Sequence, residues 1–196
     1  MSSHDRILNA AKHLFATRGY ENTSTVAIAR AAGTSESQLI KHFGSKEGLL
    51  EAIFDSGWER ISAMFPALQP IASPAERFEA LLEMILTALE RDPELKQLML
   101  LEGRRIRKEG HMVLITGGYQ RLVQMADAII QEMKSKGELR DDVHPQAVRS
   151  ALMGMLESMM RDQVLAERLQ FPAKFKTDDL RKVFQVVLGA FSKQLR

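Results

Sequence analysis

The sequence predicts an all-α protein, a small N-terminal helical domain followed by a larger helical one, and three observations predict it. Apolar residues recur at helical spacing from Ile7 to Phe191. Glycine, proline and hydroxyl residues interrupt that pattern where helices should start and stop. No stretch alternates apolar and polar residues over a useful strand length, and no internal repeat is present. A chain of 196 residues with 45% hydrophobic residues has ample apolar material for a core. The absence of cysteine excludes disulfides, thiol catalysis and Cys-ligated zinc. No apolar run sits behind a basic start, and none is long enough to span a bilayer, so a cytoplasmic protein without membrane contact is expected.

The first helix should run from Ser3 to Thr17, with Ile7, Leu8, Ala11, Leu14 and Phe15 on one stripe. Gly19 closes it and Tyr20 packs back. Ser24 or Thr25 caps the second helix, whose inner face is Ala27, Ile28, Ala31 and Ala32. Gly33 suits the left-handed position that ends a helix and turns the chain. Ser35 then caps a third helix in which Leu39, Ile40 and Phe43 face inward. Short helix, glycine turn, short helix is a helix-turn-helix pattern, whose second member can lie in a DNA major groove. An ordinary αα-corner shares the pattern. Glu36, Ser37, Gln38, Lys41 and His42 should be exposed, a polar set able to reach base edges.

With the preceding helix, these residues resemble the DNA-binding domain of TetR-type transcriptional regulators. The matching pieces are A-x-x-L-F-A-T-R-G-Y, T-x-x-I-A-x-A-A-G-T-S and L-x-x-x-F-x-S-K-E-x-L-L, in order across the first quarter of the chain. The resemblance implies a helix-turn-helix domain at residues 1–48 and a ligand-binding and dimerisation domain at 49–196. It also implies a phosphate contact at Lys46. The sequence departs from the family at Ile40, where a tyrosine, often a phosphate contact, is usual.

The expected DNA-binding residues are Ser24, Thr25, Ser35, Ser37, Gln38, Lys41, His42 and Lys46. Gln38 and Lys41 can pair with adenine and guanine edges, whereas Ser24, Thr25 and Lys46 suit phosphates. Charge supports this mildly. Of 27 Lys/Arg and 25 Asp/Glu, six and four fall within residues 1–50, so the net +2 resides there.

Ser45 should cap a fourth helix from Lys46 towards Phe65, before Pro66, Pro70 and Pro74 break the pattern. Ser73-Pro74 opens the fifth helix and Pro93 the sixth. The basic run Arg104, Arg105, Arg107, Lys108 reads as the solvated end of that sixth helix. A long seventh helix contains Leu114, Gly117, Gly118 and Tyr119 and ends near Lys136-Gly137; its internal glycines imply a kink or a close neighbour. Pro145 opens the eighth helix, and the last spans Asp178 to Leu195.

Wide apolar surface on the last two helices points to a homodimer through Met153, Leu156, Met160, Val164, Phe184, Val187 and Phe191. A two-fold pair would meet an inverted-repeat double-stranded DNA operator. Eleven methionines, mostly in the later half, suit a small hydrophobic effector. Its candidate contacts are Met99, Glu102, Tyr119, Met125, Met155 and Met159. No cofactor or metal is expected: His4, His13, His42, His111 and His144 lack ligand spacing, and no nucleophile or phosphate-loop motif appears. A ligand-responsive repressor is the leading expectation. The rival is a helical small-molecule-binding protein or cofactor-free enzyme whose N-terminal bundle is only structural.

Overall fold

The computed structural model describes residues 2–193. Among them are nine α-helices: α1 (Ser3–Arg18), α2 (Thr25–Ala31), α3 (Glu36–Phe43), α4 (Lys46–Ser62), α5 (Pro74–Glu90), α6 (Pro93–Leu101), α7 (Gly117–Ser135), α8 (Pro145–Arg168) and α9 (Thr177–Phe191). A 3-10 turn occupies Phe65–Leu68, and a two-stranded antiparallel ribbon pairs β1 (Arg107–Lys108) with β2 (His111–Met112). The all-α expectation is met. The Leu195 end expected for the last helix lies outside the described residues.

Helix starts follow the sequence closely. Ser24, Ser35 and Ser45 each accept a backbone N–H from the residue three positions on, at 3.2, 3.3 and 3.0 Å. Ser73 does the same for Glu76, and Asp92 for Leu95. Each cap satisfies a donor that the helix itself leaves open, worth about 1 kcal/mol. Gly33 adopts φ 63°, the left-handed turn expected of it.

The helices form two compact units. The first contains α1 to α4 with Thr87–Gln120, hence α6 and the ribbon; the second contains Ala63–Leu86 and the described chain from Arg121 onward. In the first unit α1 packs on α2, α4 and α6. Ile7, Phe15, Ile28, Leu39, Leu50 and Phe54 are almost wholly buried there, each worth about 1.5–3 kcal/mol in apolar transfer. Asp92 ties three helices together. Besides capping α6, it pairs with Lys12 of α1 at 2.7 Å and Arg60 of α4 at 3.2 Å. In the second unit Phe78 stacks on Phe184 with centroids 5.8 Å apart, and Arg149 of α8 pairs with Asp127 of α7 at 2.9 Å.

Four expectations are corrected. Helix α4 ends at Ser62, because residues 63 and 64 turn before the Pro66 segment. The basic run is no solvated helix end. It enters the ribbon, whose turn places Glu109 and Gly110 at φ 51° and 87°. Its charges are largely engaged: Arg105 pairs with Glu102 at 2.6 Å, and Lys108 with Glu51 at 2.6 Å. Gly117 and Gly118 begin α7 rather than interrupting it, and Leu114 precedes it. The expected close neighbour is real: a Cβ on Gly118 would lie 2.5 Å from the Trp58 Cβ.

Finally, Leu156, Met160, Val164 and Phe184 are buried within their own unit at 7, 5, 5 and 1% exposure. Their stripe serves the α8–α9 packing inside one chain, so they are unavailable as surface contacts.

Candidate DNA-reading face

The face expected to read bases is built on two buried anchors. Leu39 and Phe43 fix α3 against the first unit's core, at 0 and 9% exposure. Positions four residues apart share a helix face, so Ser37, Gln38 and Lys41 are turned away from those anchors and are exposed. Glu36 is also exposed. Ile40 is the correction: expected inward, it is 42% exposed. It stands about 100° around the helix from Leu39, so with two anchors already buried it is carried onto the outer face. Val26 of α2 is likewise 50% exposed. Neither apolar residue was among the expected contacts; each is an apolar surface of the kind that can meet a thymine methyl.

Ser24 and Ser35 are exposed and already used as caps. Thr25 is half-exposed, and its hydroxyl donates to the Glu36 carboxylate, joining the starts of α2 and α3. His42 is exposed, with its ring edge-on to His4 at 5.7 Å and beside Phe43 at 6.0 Å. Lys46 does not simply project into water. Its ammonium lies 4.2 Å from the centroid of the Tyr20 ring, a cation–π contact worth about 0.5–1 kcal/mol at a partly exposed site.

Tyr20 itself is 4% exposed and donates its hydroxyl to Glu47 at 3.1 Å. Burial, reinforced by the Glu47 charge, pushes the Tyr20 phenol well above its ordinary range. Glu47 is held below the usual carboxylate range, first by the N–H of its own backbone and then by Ser45, Tyr20 and Lys46, against some cost of burial. The result is an ammonium held in place at the start of α4.

The expected effector contacts divide between the units. Met99, 4% exposed, has its methyl against Gly57, Glu102 pairs with Arg105, and Tyr119 meets Trp58 at 5.5 Å between centroids. All three belong to the first unit. Met125, Met155 and Met159 belong to the second and are half-exposed. Of the expected dimer contacts, Met153, Val187 and Phe191 retain partial exposure. Val183 and Val186, not among the expected contacts, are 41 and 72% exposed on α9.

Comparison with known proteins agrees with this architecture. Residues 7–53 match the family described as bacterial regulatory proteins, tetR family, and residues 59–189 match the YsiA-like protein, C-terminal region. The nucleoid occlusion factor SlmA of Aliivibrio fischeri (strain MJ11) is 28% identical over 163 residues, covering 78% of this chain and 79% of its own. The HTH-type transcriptional regulator UidR of Escherichia coli (strain K12) is 27% identical over 199 residues, covering 94 and 92%. The structure of the transcriptional regulator FadR from Bacillus subtilis in complex with stearoyl-CoA superposes with a TM-score of 0.83 at 20% identity, covering 95% of this chain and 97% of that one.

Proposed function

This chain belongs to the tetR family of bacterial regulatory proteins, and from that premise we propose that it is a ligand-responsive repressor acting as a homodimer on an inverted-repeat operator. Residues 1–48 read DNA, and residues 49–196 carry effector binding and dimerisation. The observation that carries this reading is the outward polar edge of α3 above the buried Leu39 and Phe43. Gln38 and Lys41 address bases with help from Ser37 and His42, while Ser24, Thr25, Ser35 and Lys46 hold phosphates. Thr25 must exchange Glu36 for phosphate to do so.

The dimer face runs over Met153, Val187 and Phe191 and continues through Val183 and Val186. Such a pair sets two α3 helices about 34–36 Å apart, one duplex turn. The effector is small and hydrophobic, and it releases DNA by binding better to a conformation with another spacing. A long-chain acyl thioester is the first class to try, given the stearoyl-CoA complex of the FadR neighbour.

Selection from a random DNA pool tests the reading. An inverted repeat with half-site centres about 10 base pairs apart, or a multiple of that, is expected. Recovery of no preferred sequence by folded protein at low salt rejects it in favour of a helical ligand-binding protein.

A further inference from the structure

We propose that the indole N–H of Trp58 anchors a small-molecule site whose ligand presents a neutral carbonyl oxygen on an apolar body. The proposal rests on the ligand-responsive reading above and gives it an address. Trp58 is 7% exposed, and its Nε1 is the buried side-chain polar atom that finds no acceptor among the described residues. An indole nitrogen can only donate. Leaving such a donor dry and unpaired costs about 1–3 kcal/mol, and folded proteins seldom tolerate it.

The polar groups along this part of α4 are otherwise engaged. Asp55 accepts the Gly118 N–H at 3.3 Å, and the Ser62 hydroxyl donates to the Trp58 carbonyl at 2.6 Å. The surroundings select the ligand's chemistry. The Tyr119 ring stands at 63° to the indole, Gly118 lies flush against the Trp58 Cβ, and Leu95 and Met99 abut the neighbouring Gly57. That lining favours an apolar body. Asp55 and Glu59 lie on the same helix on either side of Trp58, so an anionic acceptor is repelled as well as poorly solvated. The oxygen of an acyl ester or thioester meets both conditions.

Tyr119 is half-exposed beside the indole, at the start of α7. It is the side chain that must turn to admit the ligand. The site also lies on the helix whose other end holds Lys46, so whatever moves Trp58 acts on α4 itself.

The chain has a single tryptophan, so an isotope-labelled sample gives one indole N–H resonance to follow. The probes are octanoyl-CoA, S-octyl-CoA, which keeps the pantetheine amides but lacks the acyl carbonyl, and methyl octanoate, which lacks the nucleotide. Octanoyl-CoA and methyl octanoate should move the resonance downfield, and S-octyl-CoA should not. A shift with octanoyl-CoA alone identifies the thioester as the source of the carbonyl. Trp58→Phe keeps an aromatic ring and should weaken the carbonyl probes about tenfold.

A resonance unmoved by every probe, or equal movement by S-octyl-CoA, overturns the assignment without requiring the variant to fold. Should octanoyl-CoA move the resonance yet leave DNA affinity unaltered, the site stands and the ligand-responsive reading falls. Should it release DNA with the resonance unmoved, the reading stands and the site falls.

Discussion

The two ends of α4 are built on opposite terms. At its start every polar group described is answered: Ser45 caps, Glu47 receives the Tyr20 hydroxyl, and Lys46 rests on the Tyr20 ring. Twelve residues after Lys46, Trp58 is more deeply buried, yet its N–H has nothing to bond among the described residues. One helix thus carries a finished junction at one end and an unmet requirement at the other. The difference separates geometry that is fixed before any ligand arrives from geometry that a ligand can still improve.

The largest expected effect tests how rigid the finished end is. Gly48 sits where a Cβ would run into the Phe43 carbonyl. Gly48→Ala should therefore destabilise the protein by about 3 kcal/mol, through backbone displacement rather than helix propensity. Thermal unfolding and gel shift should show loss of both stability and DNA binding; a variant as stable as the native chain breaks the comparison. At the other end, Gly118→Ala puts a methyl against Trp58. It should cost about 2 kcal/mol, although alanine is ordinarily the better helix former. Chemical denaturation gives the cost, and the emission of the single tryptophan reports whether the indole has shifted.

Function sharpens the contrast further. Gln38→Ala should relax preference at one base position by about 1–3 kcal/mol. Lys46→Ala should weaken all sequences alike and reduce the salt slope by about one. Binding titrations on single-base operator variants at several salt concentrations separate the two patterns, and uniform loss for Gln38→Ala rejects its role.

The smallest effect is acid dependence. Because the fold lowers the Glu47 pKa, its stabilisation is present above the ordinary glutamate range and is lost as pH falls through the folded value. Glu47→Gln should melt slightly lower at neutral pH, by at most about 0.5 kcal/mol after solvent screening. The difference should vanish in acid, as melting curves at several pH values would show.

What the sequence made legible was local. Ser24, Ser35, Ser45 and Gly33 act on neighbours within a few residues, so their roles could be read before any packing was known. The misplaced Ile40 has a simple origin. A helix of eight residues offers barely two turns, too few for periodicity to decide which of two adjacent apolar positions goes inside. The ribbon escaped notice because its strands have two residues each and its turn begins at Glu109, not at the usual asparagine or aspartate. The stripe of Leu156, Met160, Val164 and Phe184 points to a partner in sequence because an apolar stripe reads alike whether it meets its own chain or another. The unpaired Trp58 N–H left no trace in sequence at all. It is defined by groups that are distant in the chain or already engaged.

The hydroxyl-to-carboxylate link between Thr25 and Glu36 has a kinetic side. Before DNA is bound it holds the Glu36 charge on the surface that approaches a polyanion, which penalises every stretch of duplex equally. Only a site offering enough matched contacts offsets that penalty, so encounters with unrelated sequence should be brief. A chain with just +2 overall adds little general attraction to oppose that release.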